Sequence, residues 1–137
     1  LPVLTVNKSR VSDVQPVEVD ILRGESNLIT TVTVMVGFYQ AQAVEEKLVG
    51  RELRIGFYSA EGEPISEVHT VTFDSREEDA RSRERKIQFT FGKAADAFNG
   101  KEILLRMEER IPGTSHYRDY KKETYRFKRT FESDFEL

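Results

Sequence analysis

The residues of this chain that are best suited to chemistry are two histidines and a neighbouring serine. His69 and His116 are far apart in the sequence, and Ser115 directly precedes His116. Zinc ligands follow short fixed spacings, and a serine nucleophile is activated by a base from a distant part of the chain. This spacing predicts neither a metal site nor a catalytic triad. We interpret His69 as an outward-facing strand residue, and Thr114 and Ser115 as turn residues that hydrogen-bond to nearby backbone.

Carboxylate pairs are the other candidates, at Glu45-Glu46, Glu77-Glu78 and Glu108-Glu109. Acid–base catalysis requires carboxylates that are buried beside a cleft, which adjacent acids in a charged chain do not indicate. The chain has no cysteine and none of the glycine-rich patterns that bind phosphates or dinucleotides. We therefore predict that this chain has no catalytic, metal-binding or cofactor-binding residues and is not itself an enzyme.

A segment rich in basic and aromatic residues near the end of the chain is the strongest candidate for binding. Basic residues beside aromatic rings suit a nucleic-acid backbone with stacked bases. The net charge of −3 argues against a dedicated nucleic-acid binder, because such domains are usually basic as a whole. The candidate contacts with nucleic acid or with a protein partner are Arg118, Lys121, Lys122, Arg126 and Lys128.

Alternation offers a structural interpretation of the same segment. In "TYRFKRTF", residues Tyr125, Phe127 and Phe131 fall on one face and would pack into a core. On this pattern, the residues that point to water are Lys121, Lys122, Arg126 and Lys128, and lysines there also discourage edge-to-edge aggregation. On this interpretation, the segment is the last strand of the fold, and it binds DNA weakly at most.

The elements that must position these residues are short strands. Apolar and polar residues alternate in "TVTVMVGFY", "RELRIGFYS" and "KIQFTF", among other runs. The turn sequences "AEGEP", "FNGKE" and "IPGTS" separate such runs. This pattern predicts an all-β protein, an antiparallel β-sandwich of immunoglobulin or fibronectin type with about seven to nine strands. A small barrel is the alternative.

Two segments depart from the alternation. The alanines of "KAADAFNG" predict one short helical turn near residues 94-99, closed by Gly100 in the left-handed conformation. Residues 74–86 have mixed charge and predict a long loop or a short exposed helix. The apolar side chains predicted to form the core are Val34, Val36, Leu53, Ile55, Phe57, Ile87, Phe89, Leu105, Tyr125 and Phe127.

Length and composition indicate a single domain spanning 1-137. The chain is long enough to bury a core without disulfides or a metal. We see no membrane-spanning run and no signal peptide at "LPVLTVNKSR", so we expect a cytoplasmic protein with no membrane partner. Because the sequence does not begin with Met, we expect it to be a piece of a longer protein or a processed chain.

The final segment, "LLRMEERIPGTSHYRDYKKETYRFKRTFESDFEL", resembles the end of PglZ proteins of type 1 BREX phage-defence systems. The shared features are the Pro-Gly-Thr-Ser turn, the Tyr-x-x-Tyr-Lys stretch and the aromatic–basic strand closing on Phe-x-Ser-Asp-Phe. The segments "FYSAEGEPISEVHTVTFDSREEDARSRERKIQFTF" and "KAADAFNGKEILLRMEE" also resemble this family. The resemblance covers roughly the second two thirds of the chain, and Leu137 departs from it where the family has an aromatic residue.

The resemblance implies a larger bacterial protein. PglZ proteins carry a metal-dependent phosphatase or phosphodiesterase domain of the alkaline phosphatase superfamily. That domain needs clustered Asp and His ligands, which this chain lacks, so no catalytic residue is carried over. The resemblance implies a non-catalytic C-terminal interaction or scaffolding domain, whose partners are other BREX components or the rest of its own polypeptide. The alternatives are a module that positions DNA for the catalytic domain, and an unrelated immunoglobulin-like binding module.

Overall fold

The computed structural model describes residues 14–22, 24 and 26–128, and strands dominate these residues. Two short 3-10 helices, Ala80–Arg83 and Lys93–Phe98, interrupt them. The strands of this described part are β1 (Gln15–Pro16), β2 (Val19–Leu22), β3 (Leu28–Ile29), β4 (Thr33–Gln40), β5 (Leu48–Val49), β6 (Arg51–Tyr58), β7 (Pro64–Phe73), β8 (Glu84–Thr90), β9 (Lys101–Arg110) and β10 (Tyr117–Phe127).

Two sheets face each other across one core. The small sheet has the order β2-β4-β8, and the large sheet has the order β3-β10-β9-β6-β7. A separate pair, β1 and β5, lies at one end. Strands β2, β4 and β8 occupy the positions of strands A, B and E in an immunoglobulin-like sandwich, and β6, β9 and β10 occupy those of C, F and G. The predicted all-β sandwich is thus confirmed.

The long ladders are antiparallel, but two short pairings are parallel. Strand β1 pairs with β5, and β3 pairs with β10 through Arg126 and Phe127. Three strands of only two residues, namely β1, β3 and β5, raise the number of strands among the described residues above the expected seven to nine. Sequence alternation cannot predict such strands because two residues are too short to show a period.

Aromatic rings join the two sheets. Phe57 of β6 lies with its ring centroid 5.3 Å from that of Phe89 in β8 and 5.5 Å from that of Tyr125 in β10. Phe91 packs on Phe57 at 5.1 Å and on Phe127 at 4.8 Å. Of the ten predicted core residues, all but Val34 are buried, and Val34 packs half-buried against the same cluster.

Side chains close the seam between β7 of the large sheet and β8 of the small sheet. The Arg85 guanidinium donates to the Thr72 carbonyl at 3.0 Å, and a ring nitrogen of His69 lies 3.0 Å from the Gln88 carbonyl. At the other end, Ser66 forms an isolated bridge with Phe91. His69 also stacks edge-on against Phe89, so its prediction as an outward-facing strand residue is wrong. It lies opposite Ile55 on the inner face of the sheet.

Turns and loops follow the sequence signals closely. Gly113 has a φ of 80° in the β9–β10 turn, where Thr114 N–H donates to the Ile111 carbonyl. The predicted helical turn is the 3-10 helix Lys93–Phe98, and Gly100 follows it with a φ of 83°, as expected. Within the described residues, no helix has the length and apolar character needed to cross a membrane.

The charged segment 74–86 is a loop that leads through a 3-10 helix into β8. Arg83 holds it in place by donating to the carbonyls of Glu77 and Glu78. The buried Gln40 amide donates to the Ser75 carbonyl and accepts from the Ser75 N–H. Phe131, the last of the aromatic residues predicted to face the core, lies outside the described residues.

We expect Phe89→Ala to lower the free energy of unfolding by about 3–5 kcal/mol, because Phe89 is fully buried and its removal leaves a cavity. Urea denaturation followed by circular dichroism measures the loss. The matched control is Met35→Ala on the adjacent strand, where the side chain is 56% exposed and the change should stay within about 0.5 kcal/mol. A loss below about 1 kcal/mol for Phe89→Ala would contradict this assignment of the core.

We also expect deletion of the chain from Thr124 onward to unfold the domain. The deletion removes Tyr125 and Phe127 from the core and takes away the partner of β3. Loss of the dispersed amide resonances in a ¹H–¹⁵N spectrum is the expected result. A truncated protein that melts at the temperature of the full chain would show that this part of β10 does not support the core.

Candidate interaction surface

The basic residues singled out in the sequence do not lie on one surface. Arg118 lies at the start of β10, beside the β9–β10 turn. Lys122 and Arg126 are exposed on the outer face of the large sheet, and Lys128 follows the end of β10. Lys121 lies opposite Met107, whose side chain is fully buried, so it points toward the small sheet. The prediction that Lys121 points outward is therefore wrong.

A bulge in β10 lies directly before Lys121, which keeps the inward alternation of Tyr125 and Phe127. The register between β10 and β9 shifts between Asp119 and Lys121, which leaves Tyr120 as an extra residue. Tyr120 packs against the core, and its hydroxyl accepts a hydrogen bond of 3.1 Å from the Val19 N–H in the small sheet. The bulge thus brings two neighbouring side chains of β10 to the other sheet.

Lys121 forms an ion-pair clamp between the two sheets. Its ammonium group donates to Asp20, and it lies 3.2 Å from a carboxylate oxygen of Glu18. Burial alone would lower the pKa of Lys121, but the hydrogen bonds to Asp20 and Glu18 raise it above its ordinary value. The clamp therefore stabilises the fold below about pH 10.5, and this contribution is lost as pH rises through the raised pKa.

The other basic residues of the strand also lie beside acids. Arg118 Nε is 3.1 Å from a Glu109 oxygen, Lys122 Nζ is 3.6 Å from Asp119, and an Arg126 guanidinium nitrogen is 3.7 Å from Glu102. Charges that alternate in sign along a surface do not form the continuous positive track that a phosphate backbone needs. The arrangement is that of a charged surface with paired side chains.

A network of charges covers the outer face of the large sheet. Glu108 is buried there, and it accepts from Arg54 at 3.0 Å and from Arg106 at 2.9 Å. Arg106 also donates to Asp119 at 2.9 Å. Two arginines around one carboxylate satisfy its acceptor sites, so this buried charge is compensated. Glu109 points the opposite way along β9, so the two glutamates of this pair do not form a dyad.

Two tyrosines complete this face. The Arg54 guanidinium lies 3.7 Å from the centroid of the Tyr117 ring, and that of Arg106 lies 4.8 Å from the Tyr58 ring. Burial raises the pKa of the Tyr58 hydroxyl above 10, and the charge of Glu108 raises it further. We call these residues the Arg–Tyr face: Arg54, Tyr58, Arg106, Glu108, Tyr117 and Asp119.

An end cleft of about 620 Å³ opens beside the β9–β10 turn. Its lining comes from the start of β6, the end of β9, the turn and Arg118. Arg51 is fixed on one wall, since it donates to the Val17 carbonyl and to Glu109 and stacks 4.1 Å above the Tyr120 ring. The cleft is therefore walled by charged side chains that the fold holds in place.

The residues first considered for chemistry do not come together. His116 is exposed in the β9–β10 turn, and Thr114 bonds the backbone there as predicted, donating to the Ile111 carbonyl and accepting from the His116 N–H. Within the part of the chain that the structure describes, no three His, Cys, Asp or Glu side chains are grouped so that they could hold a metal ion.

No protein-family model matches this chain, and no curated protein matches it either.

Sequence reasoning missed the Arg–Tyr face. Four of its six members alternate with core residues in "RELRIGFYS" and "LLRMEE", so their outward direction could be read from the period of two. The pairing of these side chains could not be read from the sequence, because Arg54 lies opposite Glu108 only through the register of β6 against β9. That register joins positions that are far apart in the chain.

Lys121 and Lys122 offer a matched pair of variants that tests the clamp. We expect Lys121→Met to lower the free energy of unfolding by about 0.5–1 kcal/mol, a modest effect because solvent screens this partly exposed group. Lys122→Met should change it by less than about 0.5 kcal/mol, since Lys122 makes one exposed contact with a neighbour on its own strand. Urea denaturation at low salt measures both. Equal effects of the two substitutions would contradict a clamp between the sheets.

Proposed function

We propose that this chain is a non-catalytic interaction domain of a PglZ-like phosphatase or phosphodiesterase that acts in BREX phage defence in the bacterial cytoplasm. The resemblance of its second two thirds to the PglZ C-terminal region supports the family. Its partners are other BREX components or the rest of its own polypeptide. The chain itself contributes binding and positioning, and the catalytic domain of the longer protein contributes the chemistry and the metal.

The Arg–Tyr face is the observation that carries the interaction role. Protein interfaces are enriched in Tyr and Arg, and their strongest contacts come from such side chains held in fixed positions. Here, stacking and ion pairs fix Arg54 on Tyr117 and Arg106 on Tyr58. The side chains therefore lose little conformational freedom when a partner packs on them. Tyr117 is 37% exposed, so a partner would bury apolar surface there.

The pairing of the basic residues favours a protein partner over DNA. Arg118, Lys121, Lys122 and Arg126 each lie near a carboxylate, and a phosphate backbone would have to displace those acids. The net charge of −3 adds a general repulsion. A module that positions DNA therefore remains the second candidate, to be decided by experiment.

The test uses the isolated domain and each purified component of a BREX system, including the catalytic remainder of its own protein. We expect calorimetry to find at least one component that binds. Tyr117→Ala combined with Lys122→Glu should weaken that binding at least tenfold, since it removes an exposed ring and reverses a charge on the large sheet.

The matched control makes the same kind of change on the small sheet, with Gln88→Ala and Lys86→Glu. Both residues are exposed there, and binding should be unchanged. Failure of every component to bind would contradict the proposal. Submicromolar binding to duplex DNA at physiological salt, lost on neutralising Lys121, Lys122, Arg126 and Lys128, would favour the DNA-positioning role instead.

A further inference from the structure

The end cleft has features of a binding site that the Arg–Tyr face does not use. Its volume, about 620 Å³, lies in the range of ligand-binding clefts. The turn residues Pro112, Gly113 and Thr114 line it, as does Pro16. The Thr114 side chain is hydrogen-bonded within its own turn, so this part of the lining is ordered without a ligand.

Three arginines line the cleft, and two of them have donors to spare. Arg51 is fully engaged by Val17, Glu109 and the Tyr120 ring. Arg118 uses only its Nε atom, on Glu109, and its terminal nitrogens have no partner among the described residues. Arg110 makes no side-chain contact of this kind with any residue that the structure describes.

Glu109 orients the cationic wall. One of its oxygens accepts from Arg51 and the other from Arg118, so a single carboxylate holds two guanidinium groups in place. A fixed guanidinium group presents a planar pair of donors that matches the two oxygens of a carboxylate. Arg118 is fixed in this way and has spare donors, and Arg110 lines the same cleft, so together they can take one more acceptor group there.

We propose that the end cleft binds a carboxylate side chain of an acidic segment in the protein partner, through Arg110 and Arg118. This inference rests on the proposed interaction function and adds the chemistry of the partner. The acidic segment lies along the β9–β10 turn, and its carboxylate accepts from the free donors of Arg118, which Glu109 holds in place, and from Arg110.

The charge of the lining sets the preference for a single carboxylate. Among the described residues, the cleft carries three arginines and the two acids Glu52 and Glu109. The excess is one positive charge, which suits a group of charge −1 better than a phosphate of charge near −2. Glu52 also repels the closely spaced phosphates of a duplex, which need a longer positive surface.

The test is a ¹H–¹⁵N titration of the chain with acetylated, amidated tetraglutamate, at low salt. We expect shift changes that centre on Glu109, Arg110 and residues 113–118. The variant Arg110→Ala with Arg118→Ala should weaken binding at least tenfold. The matched control, Arg81→Ala with Lys86→Ala, removes the same charge at exposed positions outside the cleft and should bind as the parent does.

Three further arms decide the ligand. Tetraglutamine should produce no shifts, because it has the same length without charge. Inorganic phosphate or a short DNA duplex that shifts the same resonances at lower concentration than tetraglutamate would overturn the carboxylate assignment. So would equal weakening by the two double variants, which would indicate general electrostatic attraction.

The partner found by calorimetry separates this inference from the function on which it rests. Arg110→Ala with Arg118→Ala should weaken that complex at least tenfold. If the partner binds this double variant as tightly as the parent, the cleft proposal fails while the interaction function stands. If no component binds at all, the interaction function fails, and shifts with tetraglutamate would then show a carboxylate site without that partner.

Discussion

The packing of Phe57 against rings from the opposite sheet is the interaction on which the rest of the structure depends. Phe57 lies on a central strand of the large sheet and contacts Phe89 and Phe91 across the core and Tyr125 within its own sheet. Phe91 in turn contacts Phe127. Once these rings fix the two sheets relative to each other, strand alternation sets the direction of the other strand side chains wherever no bulge interrupts it. The Arg–Tyr face and the end cleft are consequences of that placement.

Alternation predicted the core well because burial needs only the period of two. Leu53, Ile55 and Phe57 are buried as expected, and Tyr125 and Phe127 pack inward. Local turn chemistry was equally readable, since Gly100 adopts the predicted positive φ and the sequence "IPGTS" forms the turn between β9 and β10. Strand alternation and turn residues are both local signals, so they can be read without knowing the fold.

The surface was harder to predict because it depends on register. The bulge after Asp119 reverses the alternation for the residues before it, so Tyr117 and Asp119 face outward while Tyr125 and Phe127 face the core. Lys121 follows the bulge and keeps the inward direction of Tyr125, where it reaches Asp20 from the other end of the chain. His69 was misplaced because its polar ring was taken to face water, although it lies in phase with Val71 and the buried Phe73. Ion pairs such as Arg54 with Glu108 join strands that are distant in sequence. Composition gives the number of charged residues, but it does not show which of them form pairs.

The weak seam between β7 and β8 determines where the sandwich opens locally. Along most of its length, side chains close it instead of a backbone ladder, and the bonds from Arg85 and His69 are exposed to water. The bridge between Ser66 and Phe91 pins only one end. Solvent-exposed bonds open at low free-energy cost, so the sheets part first at the Thr72 end while each ladder stays intact. In hydrogen exchange, this corner would admit deuterium by local opening, well before the amides of the central strands β6 and β9.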